Sequence, residues 1–166
     1  IKPIVVLKAG RTPEGQSAAK SHTGALAENH IIFEGSMKQS GVIVVDDIED
    51  MVDAIKIIVH QPLPNNGNVL LLTNGAGPCV VTADAIGLSK NLKMANLTDE
   101  QKLGLKKILP DKPIICVMAG GQYTNEISKK LEKMHIPVLP TARRLVNALD
   151  KIVEYSRWKR NHNKDG

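Results

Sequence analysis

Short runs of β-branched residues alternate with stretches of helical spacing from one end of the chain to the other. The runs at Ile4–Lys8, Val42–Val45, Val69–Thr73 and Ile114–Met118 are nearly all apolar rather than alternating, as strands buried on both faces are. Helical patterns lie between them at Ile31–Gln39, Ile48–Val59, Cys79–Ser89, Asp99–Leu109, Asn125–Met134 and Ala142–Trp158. In the second of these, Met51, Val52, Ile55, Ile58 and Val59 recur at three-to-four-residue spacing and form one apolar face. Gly35 interrupts the first. Thr98 followed by Gln101 reads as a capping box, in which each side chain satisfies a backbone N–H at the helix start. Strands alternating with helices predict an α/β protein with a mostly parallel sheet.

Gln61-Pro62-Leu63-Pro64-Asn65-Asn66-Gly67 breaks this rhythm, because two prolines and an Asn-Gly pair neither continue a helix nor enter a central strand. The expected division is a unit over residues 1–61, a linker over 62–67 and a second unit over 68–166. The first unit, with two strands and two helices, is small for a sheet that must be covered on both sides, and it reads as the second half of a larger domain.

Composition narrows the function classes. A hydrophobic content of 42% in 166 residues suffices for a buried core, and no apolar run reaches the roughly 18 residues of a membrane span. The cytoplasm is the expected compartment. Cys79 and Cys116 sit in or beside apolar runs and read as small buried thiols; without a Cys/His cluster at ligand spacing, no metal site is expected. The formal charge of +5 invites a nucleic-acid partner, but aromatic content is only 2% and no basic stripe is interleaved with stacking residues. The excess is assigned to surface lysines and to the tail from Arg157 to Lys164, with Arg157-Trp158-Lys159-Arg160 as a solvated last helical turn. Neither nucleic acid nor membrane is expected as a partner.

Two segments invite chemistry. The stretch from Ala9 to Ala27 reads as a long loop in which Gly10-Arg11-Thr12 and then Ser21-His22-Thr23-Gly24-Ala25 surround one imidazole with small and hydroxyl residues; loops of this length in compact domains are usually functional or disordered. Thr73-Asn74-Gly75-Ala76-Gly77-Pro78 follows a predicted strand and opens a predicted helix, where N–H groups and the helix dipole favour an anion. Pro78 suits the first helical position. The turn matches neither the P-loop nor Gly-x-Gly-x-x-Gly, so on its own it is a tight strand-to-helix turn or a phosphate cradle. His30, His60, His135 and His162 carry no motif and read as surface or helix-end residues.

Lys2-Pro3-Ile4-Val5-Val6-Leu7-Lys8-Ala9-Gly10-Arg11-Thr12 followed by Ser21-His22-Thr23-Gly24-Ala25-Leu26-Ala27 resembles the middle region of ADP-forming acetyl-CoA and related acyl-CoA synthetases, relatives of succinyl-CoA synthetase. Gly41-Val42-Ile43-Val44-Val45-Asp46 and Val69-Leu70-Leu71-Leu72-Thr73-Asn74-Gly75-Ala76-Gly77-Pro78 match the same family in the same order. The resemblance implies two flavodoxin-like units, the first partial, and a ping-pong route in which acyl-CoA and phosphate give an acyl phosphate. A histidine then takes the phosphoryl group and passes it to ADP.

His22 stands at the position of that phosphohistidine. Ser21, Thr23, Gly24, Asn74, Gly75, Ala76 and Gly77 are then expected around the phosphate, with Thr23 equally suited to capping the next helix. Arg11 either pairs with phosphate or is solvated at the mouth of the loop. A neutral imidazole attacks phosphorus readily near pH 7, since histidine's unperturbed pKa of about 6.5 leaves a large neutral fraction. The anionic product needs oriented donors, which helix N-termini supply without a permanent charge that would trap it.

The implied whole enzyme uses CoA and ATP or ADP with Mg, and the fragment by itself is assigned none of them. The implied partners are a CoA-binding domain and an ATP-grasp domain or subunit, along with small-molecule substrates, and an oligomer is expected. Alone, the piece should not turn over. The sequence departs from the family after Leu109-Pro110, where a further strand and helix are expected before Lys112-Pro113-Ile114; either that unit is lacking or two stretches are joined there. Competing readings are a regulatory synthetase-like module of a protein lysine acetyltransferase, and an inactive interaction domain of the same fold.

Overall fold

The computed structural model describes residues 2–23, 29–73, 76–95, 112–119 and 122–162. The elements run β1 (Ile4–Leu7), α1 (Pro13–Thr23), α2 (His30–Gln39), β2 (Val42–Val45), α3 (Ile48–His60), β3 (Asn68–Val69), α4 (Ala76–Gly87), β4 (Lys93–Met94), β5 (Cys116–Val117), α5 (Gln122–Lys133), β6 (Val138–Leu139) and α6 (Ala142–His162). Among the described residues the strands form three two-stranded parallel sheets, β1–β2, β3–β4 and β5–β6. This is the α/β class with parallel pairing that the alternation predicts.

The strands are shorter than the apolar runs. Pairing in the run from Val69 stops at Val69, because its partner offers only Lys93 and Met94. The run Ile114–Met118 pairs only at Cys116 and Val117. Strands β4 and β6 were not expected at all: Lys93–Met94 has no apolar run, and Val138–Leu139 lies between Pro137 and Pro140. At the start of β3 the backbones of Gly67 and Asn91 approach so closely that a Cβ on Gly67 would stand 1.8 Å from the Asn91 carbonyl oxygen. The capping box from Thr98 and the helix after it lie outside the described residues, as does the Pro110–Asp111 junction.

Helix α6 organises the core. Thr141 caps it, accepting from the Arg144 N–H at 3.3 Å, and it packs on α3, α4, β2 and β6. Ile57 of α3, Leu139 of β6 and Leu145, Ala148 and Ile152 of α6 form one buried cluster, with Leu63 and Val117 against it. On the next stripe of α6, Val146, Leu149 and Val153 meet Ile86 and Leu92. Near its end Tyr155 closes on Ile43 and Val45, with Trp158 alongside. The residues between α3 and β3 are tied to the same helix, for the carbonyl of buried Pro64 accepts from the Ser156 hydroxyl at 2.6 Å and from Arg160 at 3.1 Å.

The last turns of α6 are therefore not simply solvated. Trp158 Nε1 donates to the Gln39 carbonyl at 2.8 Å, and its ring lies over Gly41, where a Cβ would come within 2.2 Å of it. Gly41 has φ +69°, a conformation glycine adopts without strain. His162 stacks on Trp158 with centroids 4.5 Å apart.

Helix α3 also departs from its expected face. Met51 and Ile58 of that face pack against the core, but the buried residues are Asp50, Asp53, Ala54 and Ile57, and Ile48, Val52, Ile55 and Val59 are exposed. The reason is charge pairing with α6. Arg144 donates to Asp53 through Nε at 2.6 Å and through NH2 at 2.8 Å, and also approaches Glu49 at 3.3 Å. Such a bidentate bond draws the acidic side of α3 inward. Asp47 caps the helix by accepting from Asp50 N–H at 2.7 Å.

Candidate functional site

The stretch expected as a long loop contains a helix. Thr12 accepts from the Gly15 N–H at 3.1 Å and Pro13 takes the first position, so α1 starts with a cap and a preset φ. Its sequence, Pro-Glu-Gly-Gln-Ser-Ala-Ala-Lys-Ser-His-Thr, has no apolar stripe, and periodicity therefore does not reveal it. None of residues 13–21 is buried. The backbone of His22 lies in the last turn of α1, one position before Thr23 ends it. Ser21 is exposed and its hydroxyl donates to the Ala18 carbonyl at 2.8 Å. The next helix is capped by Asn29, whose side chain accepts from Ile31 N–H at 3.0 Å, and the side chains of His22 and Thr23 lie outside the description. Gly24 lies outside the described residues.

Helix α1 departs from the carboxyl end of β1, the edge where open parallel α/β sheets bind ligands. Arg11 stands at that edge and pairs with Asp46, just past β2, at 2.5 Å; Lys151 of α6 reaches the other oxygen of Asp46 at 3.6 Å and donates to the Val44 carbonyl at 2.8 Å. The guanidinium is thus exposed and engaged with a carboxylate. Next to this cluster Asp50 is buried, which pushes its carboxyl pKa upward, and the nearby Asp47 carboxylate adds to the effect.

The second expected anion site is described in part. Asn74 and Gly75 lie outside the described residues, while Ala76 and Gly77 are exposed and form the first turn of α4. Pro78 is third in the helix rather than first, still within the turn whose N–H groups have no partner in the helix. A Cβ on Gly77 would meet nothing within 4 Å, so packing inside the chain does not require a glycine there.

Other expectations need adjusting. Cys79 and Cys116 are half-buried free thiols, and burial pushes the Cys116 thiol pKa up. His30 is half-buried, with Nε2 3.4 Å from Glu34 and a buried Nδ1 without a hydrogen-bond partner. His60 and His135 face each other, Nδ1 to Nδ1, at 3.3 Å across 75 residues of chain. No sequence motif announces that pair. No group of three or more metal-ligating side chains occurs among the described residues, and no helix among them is long and apolar enough to cross a membrane.

Residues 1–58 match the family described as the succinyl-CoA ligase like flavodoxin domain. The chain is 45% identical over 101 residues to a 4-hydroxybutyrate–CoA ligase [ADP-forming] of Nitrosopumilus maritimus, covering 61% of this chain and 14% of that protein. It is 43% identical over 109 residues to the acetate–CoA ligase [ADP-forming] II subunit alpha of Pyrococcus furiosus, covering 66% of this chain and 23% of the relative. The I subunit alpha from the same organism aligns with 97% of the chain and 48% of its own length, at 25% identity over 224 residues, a span longer than this chain. The chain thus spans less than half the length of each of these relatives.

Among solved structures, the dinucleotide forming acetyl-coenzyme A synthetase 1 of Ca. Korarchaeum cryptofilum superposes with a TM-score of 0.76 at 23% identity, over 99% of this chain and 49% of that one. That likeness establishes the flavodoxin-like fold. Residues 1–58 thus match the succinyl-CoA ligase like flavodoxin domain, and the chain as a whole is similar to part of ADP-forming acyl-CoA ligases, α subunits among them.

Proposed function

We propose that this chain is the phosphate-carrying part of an ADP-forming acyl-CoA synthetase and that His22 carries the phosphoryl group. The observation behind this reading is the sequence Ser21-His22-Thr23-Gly24-Ala25, which begins in the last turn of α1 and falls inside the region that matches the family domain. In the proposed reaction phosphate displaces CoA from an acyl thioester to give an acyl phosphate and free CoA. An imidazole nitrogen of His22 then attacks phosphorus, the P–O bond to the acyl group breaks, and the carboxylate leaves. ADP finally takes the phosphoryl group from nitrogen and becomes ATP.

The backbone placement suits a transient carrier. A helix C-terminus carries partial negative charge, so an anion in the last turn of α1 is not over-stabilised. Stabilisation must come from donors brought to it, and the first-turn N–H groups of Ala76 and Gly77, which have no acceptor within their own helix, are of that kind. Gly77, unconstrained by internal packing, leaves room for a phosphate to approach the backbone. In this reading Ser21, Thr23, Gly24, Asn74 and Gly75 complete the surroundings of the phosphate. Arg11 reaches it only by exchanging Asp46 for the phosphate. CoA, the ATP-grasp portion with its nucleotide and Mg, and the acyl pocket belong to the rest of the enzyme, as a domain or a separate subunit.

The test uses the complete enzyme and its His22→Ala variant with labelled ATP and magnesium, following label that is lost in acid and kept in base. The His22 peptide should carry label in the parent and none in the variant, and acyl-CoA synthesis should fall by about a thousandfold or more, as for loss of a covalent nucleophile. Unimpaired synthesis in the variant, with undiminished label on that peptide region, would remove His22 from the relay.

A further inference from the structure

Outside the carrier segment, one side-chain arrangement has no role in the reaction above. His60 is the last residue of α3, and His135 lies two residues past the end of α5. Both are exposed, their Nδ1 atoms stand 3.3 Å apart, and their rings are tilted by 30° with centroids 5.3 Å apart. Two imidazole lone pairs cannot face each other at that distance without a proton or a cation between them.

The backbone on both sides is fixed. After α5 the chain closes a double cap, with His135 N–H on the Glu132 carbonyl at 3.0 Å and Ile136 N–H on the Leu131 carbonyl at 3.0 Å. This Schellman arrangement requires a left-handed residue, normally glycine. Here it is His135, at φ 61°, the only non-glycine residue with positive φ among those described. A side chain where glycine is preferred points to a use for that side chain. Gln61 anchors the same turn to the end of α3: its Nε2 donates to the His135 carbonyl at 2.7 Å, while its Oε1 accepts from Ile114 N–H at 2.7 Å.

Electrostatics favour a cation at this point. The carboxyl ends of two helices, α3 with 13 residues and α5 with 12, converge on the pair, and each carries partial negative charge, which Lys130 and Lys133 in the last turn of α5 offset in part. Geometry then selects the cation. Zinc held tetrahedrally by imidazole nitrogens at about 2.0–2.1 Å separates them by roughly 3.3–3.4 Å, which is the spacing found. A direct N–H···N hydrogen bond, with one ring as donor, also fits this distance and is the alternative that the test below separates.

We propose that His60 and His135 form a two-histidine site for a divalent late transition ion, zinc foremost, clipping the end of α3 to the turn between α5 and β6. Water fills the remaining positions, so the site is open and exchangeable rather than a closed structural one. Both imidazoles bind through Nδ1 as neutral rings, with Nε2–H facing solvent.

The test is a zinc titration of the full chain near pH 7.5, followed by thermal unfolding, in the parent and in the variants His135→Gly, His60→Gln and His162→Gln. With zinc about a hundredfold above its dissociation constant, the parent midpoint should rise by roughly 5–10 °C. His162→Gln should retain that rise and the other two should lose it. His135→Gly installs the residue the cap prefers, so its metal-free midpoint should match or exceed the parent's, which separates loss of the site from loss of the fold. Histidine resonances of the parent should show zinc perturbing the two imidazoles together, and the effect should vanish on acidification as protons compete. No zinc response up to about 1 mM, far above the micromolar range a useful site would need, would overturn the proposal. So would an equal response in all variants, or a response of the pair to pH alone, which would place a proton between the rings.

Discussion

Helices α1 and α6 show how differently one chain can treat two elements of the same kind. Nine residues of α6 are buried, among them Ala148, Ile152 and Val153 at 1% exposure or less, and its polar groups reach across to α3, to Pro64 and to Gln39. In α1 none of residues 13–21 is buried, and its described side-chain bonds are local, from Thr12 to Gly15 and from Ser21 back to Ala18. The stability of the fold resides in the element that does no proposed chemistry. The segment proposed to carry phosphate is attached lightly, as segments that must move or exchange partners are.

Substitutions can break or sharpen that contrast. The largest effect is expected from Ile152→Ala, which empties a site shared by α3, β6 and α6: unfolding in urea should show a loss of about 2–5 kcal/mol. The matching change on α1, Ser17→Ala, should stay within about 0.5 kcal/mol. Comparable losses at both positions would show that α1 is packed after all.

Asp53→Ala comes next. It leaves the Arg144 guanidinium facing α3 with only Glu49 for company, and a loss of about 2–3 kcal/mol is expected, below the full penalty for a stranded buried charge because Arg144 keeps 26% exposure. Arg144 has its pKa raised by the hydrogen bond to Asp53, with the Asp53 charge contributing, so the guanidinium stays protonated throughout the neutral range. A double-mutant cycle with Arg144→Ala should return most of the loss as coupling; independent effects would contradict the pairing.

The smallest effect concerns pH. Burial raises the Asp50 pKa above its ordinary 3.8, with Asp47 adding to the rise, so the folded chain holds this proton more tightly than the unfolded chain does. Stability from this group is therefore present at low pH and lost as pH rises from 3.8 through the raised folded value. Asp50→Asn removes that slope. Its stability relative to the parent should grow with pH across this window and then level off, whereas a difference constant with pH would mean that Asp50 is not perturbed.

Legibility followed the strength of the local pattern. Strands β1 and β2 and helices α3 and α6 stand close to where their apolar runs place them, since long β-branched runs and extended helical spacing leave few alternatives. Helix α1 escaped notice because it has no apolar face, although Thr12-Pro13 is a recognisable cap and first residue. The inward side of α3 was misjudged because periodicity counts apolar residues and does not see Arg144 on another helix. Trp158 and Arg160 were misplaced for the same reason: their partners, Gln39 and Pro64, are 119 and 96 residues away. His22, the proposed carrier, was legible only through the ordered motifs around it, as nothing in its spacing sets it apart from a surface imidazole. The facing pair at His60 and His135 depends on tertiary structure and was invisible in one dimension.

The ring of Trp158 lying over Gly41 also has a consequence for the order in which the molecule is assembled. The turn leading into β2 is shaped to receive a residue that leaves the ribosome more than a hundred positions later. Early in synthesis β1 and β2 can meet through a nearby, inexpensive loop closure and gain Met51 and Ile58 of α3, but Tyr155 and Trp158 complete that cluster only when α6 arrives. Strands β1 and β2 thus wait for α6, and completion of the cluster around them becomes a late event in folding rather than an early one.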